Sequence, residues 1–178
     1  MAVQEFDPPE RFVAGTVGPP GQRTFFLQIR GQGRLTSVSL EKQQVSILAD
    51  RLLDLLDGVA GGEAAEPSGG SPDTAALDTP IEDEFRVNTL SLAWDDGRHV
   101  VVIEAHDHDP DEEGPDEDAP AGPAALHSLR VVLSPAPARA FARRCQALVS
   151  AGRPPCPFCG QPLDAGGHIC PRANGYRR

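Results

Sequence analysis

The sequence predicts an α+β protein: two βββα halves that form a mainly antiparallel sheet with two helices, plus a C-terminal zinc knuckle. Three observations carry that reading. Short runs of alternating apolar and polar residues, bounded by Gly, Pro and Asp turns, occur in two groups of three. Each group is followed by a stretch whose apolar residues recur at spacings of three and four, the stripe of an amphipathic helix. The last 23 residues then place three Cys and one His within a span of 15, too short a span to bury a core of its own.

The first strand is read over 11–17 and ends in the turn Gly18-Pro19-Pro20-Gly21. The second, 24–29, sets Phe25, Leu27 and Ile29 on one side, and the third, 35–40, follows Gly31-Gln-Gly33. Val45, Leu48, Leu52, Leu55, Leu56 and Val59 make the first helical stripe, which Gly58, Gly61 and Gly62 terminate. In the second group, 85–94 and 99–105 flank the turn Asp95-Asp96-Gly97, and 126–133 is the sixth strand. Ser134-Pro135 opens the second helix with Pro at its first position, and Ala138, Phe141, Cys145 and Leu148 form its stripe. The strand-to-helix junctions, Val38-Ser-Leu40-Glu and Val131-Val-Leu133-Ser, are alike and suggest an internal repeat. The expected divisions are therefore a first half at 1–59, a flexible linker at 60–80, a second half at 81–152 and the knuckle with a basic tail at 153–178. The second half carries an acidic loop at 107–122.

Composition narrows the class. With 178 residues, 39% apolar and 5% aromatic, the chain suits one domain or one domain plus an appendage, and its 18 Gly and 18 Pro predict long loops. No run of 18 apolar residues exists, and residues 1–10 lack the basic start and apolar stretch of a signal peptide, so a cytoplasmic protein with reduced thiols is expected. Charge is uneven: from Arg130 onward there are eight Arg and one acid, Asp164, whereas the remainder is strongly acidic and the total is −10. That balance disfavours a dedicated nucleic-acid binder.

The candidate chemistry lies in Cys156-Pro-Phe-Cys159-Gly160 and His168-Ile-Cys170. Cys-x-x-Cys followed by Gly brings two thiolates to one ion, and three thiolates with one imidazole close a tetrahedral structural Zn²⁺ site that leaves no position for substrate. A redox pair is the alternative, but a redox Cys-x-x-Cys opens a helix after a strand, and this one follows a helix and Pro154-Pro155. His168-x-Cys170 is a tight bite, so water or another side chain is an alternative fourth ligand. Cys145, on an apolar stripe, reads as a small core residue. His106-Asp-His108-Asp reads as the mouth of the acidic loop, and Gly15 through Arg23 as a hairpin turn with an arginine free to meet an anion. No Gly-x-Ser-x-Gly elbow or His-Glu-x-x-His occurs.

Several motifs together resemble one family. Asp7-Pro-Pro-Glu-Arg-Phe-Val-Ala-Gly-Thr-Val-Gly18, Gly21-Gln-Arg-Thr-Phe-Phe-Leu-Gln28, Glu41-Lys-Gln-Gln44 and the stretch from Gly152 to Arg178 are similar to an actinobacterial family of conserved hypothetical proteins, domain of unknown function 3090. The resemblance spans nearly the whole chain and implies no assigned activity. The neighbouring genes of that family imply a phosphate-linked pathway. The reading that unites these observations is a non-catalytic interaction or regulatory module. In it, Cys156, Cys159, His168 and Cys170 hold Zn²⁺, while Arg23, Arg172, Tyr176, Arg177 and Arg178 contact another protein. The alternatives are an enzyme or enzyme subunit binding a phosphorylated small molecule, and RNA binding through the basic tail. No membrane partner is expected.

Overall fold

A computed structural model describes residues 2–19, 21–59, 73–109 and 126–151. Eight strands and two helices occur in these residues: β1 (Ala2–Phe6), β2 (Arg11–Val17), β3 (Thr24–Gly31), β4 (Arg34–Leu40), α1 (Lys42–Val59), β5 (Asp83–Arg86), β6 (Thr89–Asp95), β7 (Val100–His106), β8 (His127–Leu133) and α2 (Pro135–Ser150). They build two mixed four-stranded sheets, in the orders β2-β3-β4-β5 and β1-β8-β7-β6. The zinc ligands and basic tail expected from the sequence lie outside the described residues.

Each half thus supplies four strands rather than three, and the first strand of each is exchanged. In both sheets three consecutive strands form an antiparallel meander, β2-β3-β4 or β6-β7-β8. The fourth position is taken by a parallel strand from the other half: β5 beside β4, and β1 beside β8. The switch between sheets is abrupt. The Val87 amide donates to the Ser39 carbonyl of β4 at 2.8 Å, and the next amide, Asn88, donates to His106 of β7 at 2.7 Å. The exchanged strands meet where the sheets join, with Gln4 of β1 donating to Glu84 of β5 at 2.5 Å and accepting from Thr36 of β4 at 2.7 Å.

The register makes the repeat residue-specific. Leu40 pairs with Phe25, and Leu133 pairs with Val101, each at the last strand residue before its helix. Counting onward from those leucines, the buried Val45, Leu48, Ala49 and Leu52 of α1 fall at the same helical positions as the buried Ala138, Phe141, Ala142 and Cys145 of α2. Counting inward, Phe12 and Ala14 of β2 correspond to Leu90 and Leu92 of β6. Phe6 and Phe85, one from each exchanged strand, are both buried in the shared core. The helices run antiparallel: Arg139 donates to Asp57 at 2.8 Å and Gln146 to Asp50 at 3.3 Å. α2 packs on β2 and α1 on β6, so each helix covers the meander of the opposite half. Each fully buried Leu or Phe contributes about 1.5–3 kcal/mol, and one cluster takes these residues from both sheets and both helices.

Eight residues of the segment read as a linker, 73–80, cross the face of the first sheet that points away from the helices. Their main chain is tied to β3: Gln28, 1% exposed, donates to the Asp78 carbonyl at 2.9 Å, and the Asp78 amide donates to the Gln28 Oε1 at 2.7 Å. The Leu77 side chain lies over Gly15. A Cβ there would stand 2.4 Å from Leu77 Cγ, closer than any real contact. Gly15→Ala is therefore expected to destabilise the fold by about 1–3 kcal/mol through overpacking. Leu77→Ala in the same chain should relieve most of that loss. A double-mutant cycle read by denaturant melting checks it, and strict additivity of the two substitutions would contradict the contact.

Candidate functional site

Of the expected contact residues, Arg23 is described and Arg172, Tyr176, Arg177 and Arg178 lie outside the described residues, as do Cys156, Cys159, His168 and Cys170. Arg23 stands at the end of the β2–β3 turn. Gly18 (φ 108°) and Gly21 (φ 85°) take left-handed backbone there, and the Gln22 amide closes back on the Pro19 carbonyl at 3.0 Å. The half-buried Arg23 has no ion pair among the described residues. Cys145 is fully buried in α2, where burial pushes its thiol up to about 12. That is an inert core sulfur, as the apolar stripe predicts. Among the described residues, no group of three or more His, Cys, Asp or Glu side chains is arranged to hold a metal ion.

Two grooves related by the internal repeat lie between a helix and the edge strand it covers. The first, about 210 Å³, runs between α2 and β2 past Phe12, Pro137, Ala140, Phe141 and Arg144. Phe12 and Phe141 stack within it, with centroids 4.1 Å apart. Asp73 closes its end. Arg144 Nε donates to the Ala14 carbonyl of the edge strand at 2.7 Å, and its Nη1 donates to the Asp73 carbonyl at 2.5 Å. Arg11, only 10% exposed, holds Asp73 at 2.6 Å and Asp78 at 3.1 Å and donates to the carbonyls of Ala75 and Ala76. The Arg11 hydrogen bond holds the Asp73 carboxyl below its ordinary range. Burial pushes the Arg144 guanidinium down from its usual value. Sequence patterns do not reveal this network, because Arg11, Asp73, Asp78 and Arg144 are far apart in the chain.

The second groove, about 430 Å³, runs between α1 and β6 and is lined by Gln44, Ile47, Leu48, Arg51, Leu90 and Leu92. Each is the repeat counterpart of a residue around the first groove, and Arg51 stands eleven positions beyond Leu40 as Arg144 stands eleven beyond Leu133. Ile47 is 48% exposed, Arg51 is exposed, and Arg51 has no ion pair or hydrogen bond among the described residues.

A histidine cluster occupies the mouth of the acidic loop. Asp107 follows β7 and His127 opens β8, so hairpin pairing brings them together. Asp107 accepts from His108 Nδ1 at 2.7 Å, from His127 Nδ1 at 2.9 Å and from the His127 amide at 3.0 Å. His106 hydrogen-bonds Ser128 at 2.7 Å, and the His127 ring stacks on Phe85 of the exchanged strand. Burial raises the Asp107 carboxyl, but the three donated hydrogen bonds outweigh it and hold the group at about 2. The carboxylate orients both imidazoles by their Nδ1 atoms, a framed arrangement rather than an irregular loop.

A pseudo-symmetric α+β protein is thus defined, with a strand-exchanged core, two grooves related by the repeat, and an acid-anchored histidine cluster. The chain belongs to the family described as Protein of unknown function (DUF3090), which it matches over residues 4–170. No curated protein matches the chain. No solved structure matches it either. No helix among the described residues is long and apolar enough to cross a membrane.

Because Asp107 is depressed in the folded state, its stabilising contribution is complete above the unfolded value of 3.8 and disappears as pH falls toward about 2. Asp107→Asn is expected to cost on the order of 2 kcal/mol at neutral pH. The gap between variant and wild-type stability should close on acidification through that window, read by urea melts at stepped pH. A pH-independent gap would contradict the assignment.

Proposed function

We propose that the protein is a non-catalytic interaction module of the cytoplasm, whose segment after α2 folds around a structural Zn²⁺ and presents a basic surface to another protein. The observation that carries this reading is the donor set itself: Cys156, Cys159, His168 and Cys170 fall within 15 residues. Three thiolates and one imidazole suit tetrahedral Zn²⁺, and such a site supplies folding energy rather than chemistry. The inert burial of Cys145 supports a site confined to the segment that follows the helix. Arg172, Tyr176, Arg177 and Arg178 stand next to the metal ligands in sequence, and with Arg23 they would form the contact surface.

Mass spectrometry of metal content on protein purified without added metal tests this. One zinc per chain is expected for the wild type and none for Cys159→Ser. Zinc-free wild-type protein, or iron in its place, would overturn the proposal and reopen a redox role for Cys156 and Cys159.

One observation favours a second reading, the binding of a phosphorylated small molecule. Arg11, Arg30, Arg98, Arg139 and Arg144 all meet carboxylates, whereas Arg23, like Arg34, Arg51 and Arg143, meets none among the described residues, and Arg23 alone of these four adjoins the glycine-rich β2–β3 turn. In that case millimolar phosphometabolites should raise the melting temperature of the wild type by mass action, and Arg23→Ala should abolish the rise.

A further inference from the structure

Of the four strands at sheet edges, β6 alone has no cover among the described residues. β1 and β5, the exchanged strands, meet each other through Gln4 and Glu84. On β2, the Ala14 carbonyl accepts from Arg144 Nε at 2.7 Å. The inner strand β7 shows which way the β6 main chain points. Its His106 carbonyl accepts from Asn88 on the β6 side, and the next amide, Asp107, donates to His127 on the β8 side. Alternation then turns residues 100, 102 and 104 toward β6, where their partners are Asp95, Ala93 and Ser91. Leu90, Leu92 and Trp94 therefore direct their amides and carbonyls outward, and no backbone group among the described residues meets them. The strand carries none of the devices that blunt an exposed edge: it has no Lys, no Pro and no charge but Asp95 at its end. We propose that β6 pairs antiparallel with β6 of a second copy about a two-fold axis at Leu92, which joins two four-stranded sheets into one.

Self-complementarity commits the edge to this occupant. The register centred on Leu92 uses all three outward residues, with Leu92 opposite itself and Leu90 opposite Trp94. Their side chains face the core and are only partly buried, so each gains an apolar neighbour. On the other face Ser91 meets Ala93 and Thr89 meets Asp95, and no like charges are opposed. The overlying helix is complementary to itself about the same axis. Gln44 donates to the Val87 and Asn88 carbonyls at 3.3 and 3.2 Å, which fixes α1 over the start of β6. Leu92 is four residues beyond Asn88, a rise of about 13 Å in a strand and of about nine residues in a helix. The axis thus passes α1 near position 53, and Arg51 of each copy faces Asp54 of the other. Both side chains are exposed, and neither has an ion pair among the described residues. The dimer goes beyond the zinc reading and does not rest on it.

Sedimentation velocity on the full chain tests the proposal. The wild type is expected to dimerise as concentration rises, and the amides of Leu90, Leu92 and Trp94 should gain hydrogen-exchange protection in step. Arg51→Glu sets two acids against each other at both contacts, and Asp54→Arg sets two bases. Each variant alone should raise the dimer Kd by about tenfold, the effect of reversing two exposed pairs. An equimolar mixture of the two variants should recover the wild-type affinity, because their heterodimer has opposite charges at both contacts, and recovery also shows that both variants fold. A wild type that stays monomeric at about 100 μM, dimerisation that both variants leave unchanged, no recovery on mixing, or β6 protection independent of concentration would overturn the proposal. The last outcome would assign the edge to other residues of the same chain.

Discussion

Neither half of this protein can complete its own sheet. The parallel ladder between β1 and β8 and the one between β4 and β5 both join opposite halves of the chain. Without β5, the β4 edge would present a row of unpaired amides and carbonyls, and the same holds for β8 without β1. The exchange also fixes the core, because Phe6 and Phe85 arrive with the exchanged strands and are buried there beside both helices. The crossed helix packing, α2 on β2 and α1 on β6, obeys the same logic. The molecule is one interlocked unit assembled from two copies of a ββββα motif.

Repetition also exposes where the halves have diverged. Equivalent arginines, Arg144 and Arg51, sit at the same helical position over the same kind of edge strand, yet one is enclosed by carbonyls and a carboxylate while the other is exposed. At Arg144 the enclosure comes from the Ala14 carbonyl of β2 and from Asp73, which lies on the crossover from α1 to β5. Asymmetry of this kind is where a duplicated fold acquires surface that its other half does not have. The histidine cluster is a second example: the hairpin joining β7 and β8 is much longer than the tight turn between β3 and β4, and Asp107, His108 and His127 gather at its base.

Much of this architecture is legible in the residues. The helices are, because Val45, Leu48 and Leu52 and then Ala138, Phe141 and Cys145 repeat at helical spacing, and their ends carry Gly or Ser-Pro signals. The repeat shows at the Val38–Leu40 and Val131–Leu133 junctions. The exchanged strands are not legible. β1 precedes Pro8-Pro9 in an acidic stretch and is not among the strands read from the pattern, and β5 merges with β6 because apolar residues continue through Phe85, Val87 and Leu90. Alternation reports burial, not which sheet a residue joins, so the step between Val87 and Asn88 leaves no periodic signature. The 73–80 crossover is hidden for a related reason: its Gly-, Ala- and Asp-rich composition resembles a linker, and its order comes from Gln28, Arg11 and Gly15, all distant in sequence. Cys145 reads correctly because its environment is local to one helix face.

The pairing of residues 2–6 with residues 127–131 also sets the order in which the chain acquires structure during synthesis. The β2-β3-β4 meander and α1 can assemble as soon as they leave the ribosome, since their contacts are local. β1 must then wait, solvated and unpaired, until more than a hundred further residues have emerged. Long-range parallel pairing of this kind is slow because its loop-closure entropy precedes its reward. Residues 2–6 are therefore made well before the strand they pair with and are among the last to be locked. Until they are, the nascent chain carries an open sheet edge and an uncommitted strand that fits it, the pair of features from which strand exchange between neighbouring chains begins.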